Sequence, residues 1–397
     1  MQRTRRDQNS LFAAAPLPVA RLDDAERLAC LRLIRSDNVG PVTFRDLINH
    51  FGGAQAALDA LPELAQRGGN RRKIRIATQA EAERELTRAR KAGARPVFTI
   101  EPGYPPALAA IDAPPPMLYV KGDLSILTRP AVAIVGSRQA SAAGHKLTRQ
   151  FATGIGQAGY VIVSGLARGI DAAAHETAIE TGTVAVVAGG VDIIYPPENT
   201  ALHAAITEKG AIVSELPPGF EPRGKDFPRR NRLISGIALG VLVIEAARRS
   251  GTLTTARHAN EQGRIVFAVP GHPLDPRAEG TNSLLKSGAI LATTAEDVTS
   301  VLAPLSGMSP EAAFREMADA TTYAAPPPLP PPLLGNDDRT RVLAALGPAP
   351  IDIDALARAT SLDSRALNIV LMELDLAGRI IRHGGGLISR NGDWEAG

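Results

Sequence analysis

Between residues 131 and 271 the sequence repeats one pattern six times: a short, almost wholly apolar run followed by a stretch at helical spacing. The runs are AVAIVG (131–136), YVIVSG (160–165), TVAVVAGG (183–190), AIVSEL (211–216), GVLVIEA (240–246) and RIVFAVPG (264–271). A strand wetted on one face alternates apolar and polar residues; these runs do not alternate, so both faces are covered. Parallel neighbours need long crossovers, and the intervening helical stretches supply them. The pattern predicts an α/β, Rossmann-like doubly wound parallel sheet over residues 96–302.

The flanks read differently. Residues 1–20 carry basic residues and a short apolar part broken by Pro16 and Pro18, which predicts a disordered leader in preference to a cleaved signal. Residues 21–95 place apolar residues at helical spacing, with Gly40-Pro41 and Gly52-Gly53 as breaks. The helix, glycine turn, helix pattern around Val39-Gly40-Pro41 is similar to small SAM or helix-hairpin-helix domains that grip DNA backbones; plain helix packing explains it as well. The stretch 303–335, ending AAPPPLPPPLLG, predicts an extended linker. Residues 336–397 then give helix, helix, longer helix and a glycine-rich hairpin. Asp354 and Asp363 or Ser364 are expected as N-caps and Gly378 as a C-cap. That order suits a winged helix standing as a separate unit. Its third helix, 364–377, offers Arg365 and Asn368 among mostly apolar or acidic residues, so contact with protein is expected over reading of DNA.

The single cysteine, Cys30, excludes an internal disulfide framework and a Cys-based zinc site, and fits a reducing, cytoplasmic setting. No apolar run approaches the roughly 18 residues that span a bilayer, so no membrane association is expected. The net charge is only +3, but its distribution is uneven. Between 223 and 264, Arg223, Lys225, Arg229, Arg230, Arg232, Arg248, Arg249, Arg257 and Arg264 face only Asp226, Glu245 and Glu261. A solvated face explains such a cluster; an anionic partner explains it better where the charges gather on loops after strands.

Ligands of an open α/β sheet bind beyond the carboxyl ends of its strands. After the first run come Gly136, for a tight turn, then Ser137 and Arg138, with Ser141 and Gly144 entering a helix whose N-terminus can take a phosphate. After the second come Gly165, Arg168, Gly169 and Asp171. After the fifth come Ser250-Gly251-Thr252. The segment GFEPRGKDFPRRNRLIS adds Lys225, an aromatic at Phe227, and Arg230-Asn231-Arg232 near a helix start. Cations follow phosphates, and an aromatic stacks a splayed base. Gly219–Lys225 matches a P-loop opening, but Asp226 stands where Ser or Thr would hold magnesium, and Phe227-Pro228 is expected to break the helix that should follow. Ser283-Leu284-Leu285-Lys286 is an isolated S-x-x-K match. Asp171 and His175 lie four apart, without a second histidine at metal spacing. No strand is followed by G-x-G-x-x-G, so no nucleotide cofactor is expected. No nucleophile, base and orienter assemble, so a binding protein and not an enzyme is expected.

Several of these segments together carry a family resemblance. AVAIVGSRQASAAG, VIVSGLARGIDAAAHETAI, GGVDIIYPPENTAL, VSELPPG, FPRRNRLISGIA, VIEAARRSGTLTTARHANEQGR and GTNSLLKSGA, in this order over about 100–300, resemble the DprA/Smf DNA-processing proteins. The resemblance implies binding of single-stranded DNA in a basic pocket of the Rossmann-like domain, homodimerisation through that domain, and loading of the recombinase RecA during DNA uptake, transformation and recombination. By motif position Ser137 and Arg138 would contact phosphate, and Gly165 would line the pocket. Phe227, Arg230, Asn231 and Arg232 would flank the strand, with Lys225 near a basic position of the same loop. Pro197 stands where some members carry lysine. A Rossmann-like nucleotide phosphoribohydrolase is the enzymatic alternative, and EAARRSGTLTTA lacks that group's glycine-rich signature. A scaffold that touches protein only is the third reading.

Overall fold

A computed structural model of the protein describes residues 22–69, 73–306 and 336–392. The expected leader lies outside these residues, as does the expected linker from 307 to 335. The chain divides into two compact units: one takes residues up to 83, 112–116 and 325 onward, the other 84–111 and 117–324.

The first unit opens with α1 (Asp24–Ile34), α2 (Pro41–Phe51) and α3 (Ala54–Arg67); α4 (Gln79–Lys91) follows. Asp23 caps α1 by accepting the Glu26 N–H at 2.8 Å, which satisfies one of the orphan donors of a first turn. In place of a separate C-terminal unit, the winged helix packs with these helices. It comprises helices Asn336–Ala345, Ile353–Thr360 and Ser364–Leu376 with a three-stranded antiparallel sheet. Asp363 caps the third helix as expected, through the Ala366 N–H. The second is capped by Asp352 and not by Asp354, because it begins one residue after Asp352 and places Asp354 in its first turn. Gly378, at φ +71°, follows the third helix in the left-handed conformation that ends it.

In the central unit the elements run β1 (Arg95–Phe98), α5 (Pro106–Ala109), β2 (Met117–Gly122), β3 (Ala131–Val135), α6 (Ala142–Gln157), β4 (Val161–Ser164), α7 (Ile170–Ala178) and β5 (Thr183–Val186). They continue α8 (Thr200–Lys209), β6 (Ala211–Ser214), α9 (Asp226–Ile237), β7 (Gly240–Val243), α10 (Gly251–Glu261), β8 (Ile265–Ala268), α11 (Glu279–Lys286), β9 (Ile290–Leu291) and α12 (Ala295–Ser306). The C-terminal elements are then α13 (Asn336–Ala345), β10 (Ile351–Asp352), α14 (Ile353–Thr360), α15 (Ser364–Leu376), β11 (Ile380–Arg382) and β12 (Leu387–Arg390). All six apolar runs are strands of one sheet, ordered β1-β2-β6-β5-β4-β3-β7-β8-β9. From β6 to β9 the pairs are parallel, and β1 and β2 extend the sheet antiparallel.

The continuous apolar character of these strands has the expected cause. Ala133, Val135, Val163 and Val243 face one core with Leu233 and Ile234 of α9. Their neighbours Val132, Ile134, Ile162 and Leu242 face the other, with Phe151 of α6 and Leu302 of α12. The chain lays β4, β5 and β6 successively to one side of β3, then returns to place β7 on the other. The loops leaving β3 and β7 therefore diverge, and a crevice opens where the order reverses.

Candidate nucleic-acid interface

The crevice, of about 1060 Å³, is lined by the loops after β3, β4, β5, β6 and β7 and by α9 and α10. Its charged lining residues are Arg138, Arg168, Arg230 and Arg249 against a single carboxyl, Asp171. Of the residues singled out in the sequence, it gathers Ser137, Arg138, Phe227, Arg230 and Asn231. Gly165 borders a pit of about 40 Å³ beside it.

Each side chain has a local reason for its place. Ser137 accepts the Gln139 N–H at 3.1 Å and so shapes the turn, which leaves Arg138 exposed over the Phe227 ring, 5.6 Å from its centroid. Gly136 is required by packing and not by the turn, since a Cβ there would lie 2.6 Å from Ile170 Cγ1. At Gly165 a Cβ would lie 2.1 Å from Arg230 Nη1. Leu166, next to it, is held at φ +55°, and Asn199 Nδ2 donates to its carbonyl at 3.0 Å.

Arg230 is not a surface cation. It is buried, and its Nη1 donates to the carbonyls of Gly165 and Val186, at the carboxyl ends of β4 and β5. Burial depresses its pKa to about 10, with nearby Asp171 opposing and Arg138 assisting. It stays charged at neutral pH. Its Nε has no partner. Asp171, whose pKa burial raises against the pull of Arg230, accepts the Gly165 and Ala167 N–H groups at 3.2 and 3.3 Å. His175 is packed beneath, Nδ1 2.7 Å from Thr183 Oγ1; burial lowers its pKa to about 3 and keeps it neutral. Among the described residues no cluster of three or more His, Cys, Asp or Glu side chains could hold a metal ion.

Other expectations are corrected. The N-terminus of α6 already holds an anion: Glu245 accepts from the Ser141 N–H at 3.0 Å and from its hydroxyl. The helix start left to the crevice is that of α10, where Ser250, Gly251 and Thr252 line it. Phe227-Pro228 does not break a helix but sits in the first turn of α9, where the missing proline N–H is an orphan anyway. Lys225 is exposed, one residue before α9 and outside the lining. Arg232 and Arg229 both bond Glu215, at 2.8 and 2.9 Å, and neither lines the crevice. Burial pushes the Glu215 carboxyl up, but Arg232 and Arg229 together bring it below the ordinary glutamate range. A depressed carboxylate contributes stability that is present above its unfolded pKa and lost as pH falls through the folded one. Glu215→Gln is therefore expected to lose roughly 1.5–3 kcal/mol at neutral pH. Urea melts should show the gap to wild type closing on acidification below the glutamate range.

Fold and crevice together define a Rossmann-like protein with an arginine-lined crevice at its switch point. Comparison with known proteins narrows this. The model of DNA recombination-mediator protein A matches residues 95–303, the DprA-like N-terminal HHH domain matches 24–88, and the DprA winged helix domain 324–386. Protein Smf of Escherichia coli is 38% identical over 288 residues, 72% of this chain and 74% of that protein. The crystal structure of DprA from Streptococcus pneumoniae superposes with a TM-score of 0.59 at 33% identity, covering 71% of this chain and 98% of that one. DNA processing protein A from Helicobacter pylori, described for its single-stranded DNA binding mode, matches with a TM-score of 0.49 at 30% identity, over 53% of this chain and 96% of that one. The chain belongs to the DprA/Smf family of DNA-processing proteins.

Sequence reasoning missed Tyr195, Arg249 and the anchoring roles of Glu215 and Glu245. Arg249 was visible in the charge count; Tyr195, inside YPPEN, carried only a turn signal.

Proposed function

We propose that the crevice binds single-stranded DNA without cutting it, through Ser137, Arg138, Arg230, Asn231 and the α10 N-terminus on the phosphates, Gly165 at close backbone approach and Phe227 on the apolar side. The observation that carries this reading is the placement of two aromatics, Tyr195 and Phe227, among four arginines at the sheet's switch point. Phosphates need the cations, and only unpaired bases have faces free for the rings. Lys225 lies close enough in sequence to steer the strand at long range, whereas Arg232 is left to Glu215. Family membership supports a task in DNA uptake and recombination, with RecA loaded on the bound strand, a homodimer formed through the central unit, and a cytoplasmic setting. No described helix is long and apolar enough to cross a membrane.

The test is a salt titration of oligo-dT affinity. Each phosphate contact contributes about −0.7 to the slope of log K against log salt. Arg138→Ala, exposed and without a hydrogen bond or ion pair to a described residue, is expected to flatten the slope by about 0.7 with the melt lowered by at most the about 0.5–1 kcal/mol of an exposed cation–ring contact. Wild-type protein that ignores oligo-dT at low ionic strength would overturn the reading.

A further inference from the structure

Phe227 is the aromatic the sequence offers as a base-stacking surface, but it is half-buried. Arg138 lies 5.6 Å and Arg230 5.9 Å from its centroid, and Tyr195 meets it edge to face at 5.6 Å and 60°. Little of that ring is left to a ligand. Tyr195 is the reverse case. It is 52% exposed, the one aromatic among the exposed large hydrophobic side chains of the described residues. An exposed aromatic is ordinarily free to turn. This one is braced by Phe227, and four residues on the chain is pinned by buried Asn199, whose Nδ2 donates to Leu166 and Ala167 carbonyls at 3.0 and 3.3 Å. A ring held still while its surface stays in water is suited to stack a planar group, since little rotamer freedom remains to be lost on binding.

The surroundings say what the planar group is attached to. The pit of about 40 Å³ beside the ring is bounded by Tyr195, Phe227, Arg138, Arg168 and Arg230. It is too small for a base and has room only for a group of a few atoms. Arg138, exposed at the pit's rim, and Arg168, whose bond is an exposed one to Glu198, are donors for an anion of that size. We propose that Tyr195 is the platform on which one base of the bound strand stacks, with Phe227 as its brace and the adjoining phosphate seated in the arginine pit. This rests on the single-stranded DNA reading and adds to it a nucleotide subsite with a defined base platform. The platform takes any base, since every base presents a π-face.

The experiment compares wild type, Tyr195→Ala and Tyr195→Phe on two strands: oligo-dT and an abasic deoxyribose-phosphate strand of equal length. Tyr195→Ala is expected to bind oligo-dT about tenfold more weakly, a loss within the range of one base–aromatic stack, with the salt slope unchanged. Tyr195→Phe should stay within about twofold of wild type. On the abasic strand all three should bind alike. In the wild-type protein, a photoactivated 5-iodouracil strand should cross-link to the peptide holding Tyr195, a readout that needs no variant. Tyr195→Ala binding oligo-dT as well as wild type, or losing equally on the abasic strand, would overturn the platform while leaving the DNA reading intact. Wild type indifferent to both strands would overturn both.

Discussion

Arg230→Ala is expected to lower the stability of the central unit by about 3–5 kcal/mol, the range for removing one member of a buried charged pair. The Arg230 guanidinium closes the carboxyl ends of β4 and β5 through the Gly165 and Val186 carbonyls, and it is the counter-charge of buried Asp171. Truncation leaves two strand-end acceptors and a buried carboxyl without their cationic partner at the floor of the crevice. Arg230→Lys is expected to recover only part of the loss, since a compact ammonium is more strongly hydrated than a guanidinium and costs more to bury at the same place. Urea unfolding followed by circular dichroism checks both. Arg138→Ala provides the contrast, losing DNA affinity with the melt lowered by at most about 0.5–1 kcal/mol. A wild-type melt for Arg230→Ala would mean that this guanidinium serves the ligand alone.

The contrast between Arg138 and Arg230 marks how far the sequence could be read. Strands covered on both faces announce themselves locally, so β3 to β8 were legible as apolar runs. The remaining strands of that sheet lacked this signal. β1 contains Pro96, which argues against a strand except at an edge; β9 is two residues long; and β2 ends in Lys121-Gly122. The loops of the crevice were legible too, because glycines and arginines after parallel strands meet at one rim whatever else the chain does. Which arginine faces the crevice was not. That is decided by partners distant in sequence: Gly165 lies 65 residues from Arg230, Glu215 17 from Arg232, and Glu245 104 from Ser141. Identical side chains at 229, 230 and 232 are thereby divided between an ion pair on Glu215 and a buried clamp. The exposed aromatic of the crevice was obscured for a related reason. Tyr195 reads as part of a turn until Asn199 and Phe227 are seen to hold it.

The winged helix shows the same division, and its third helix carries the other large expected effect. Helix α15 holds few donors; Arg365 and Asn368 near its start are exposed, and the rest of it packs on protein. Leu367, Leu371 and Leu374 fill the module's own core. Asp375 accepts from Thr43 of α2 and from Arg382, and Asn38 donates to the Leu376 carbonyl at 2.8 Å. Glu373, in the last turn of this helix, is fully buried and receives a bidentate pair from Arg339, at 2.7 and 3.0 Å. Arg339→Met keeps the apolar stem and removes both bonds, leaving a carboxylate inside a hydrophobic module. The expected loss is again about 3–5 kcal/mol, read as faster amide exchange along 364–376 while the central sheet exchanges as before. Arg339→Met combined with Glu373→Leu is expected to restore most of it, because a well-packed apolar pair of similar volume is often as stable as the buried ion pair it replaces. If the double variant were no better than the single, the bidentate bond would be specifying the helix's position and not merely neutralising its charge. The docking of α15 on α2 and α3 would then depend on the Arg339–Glu373 geometry itself.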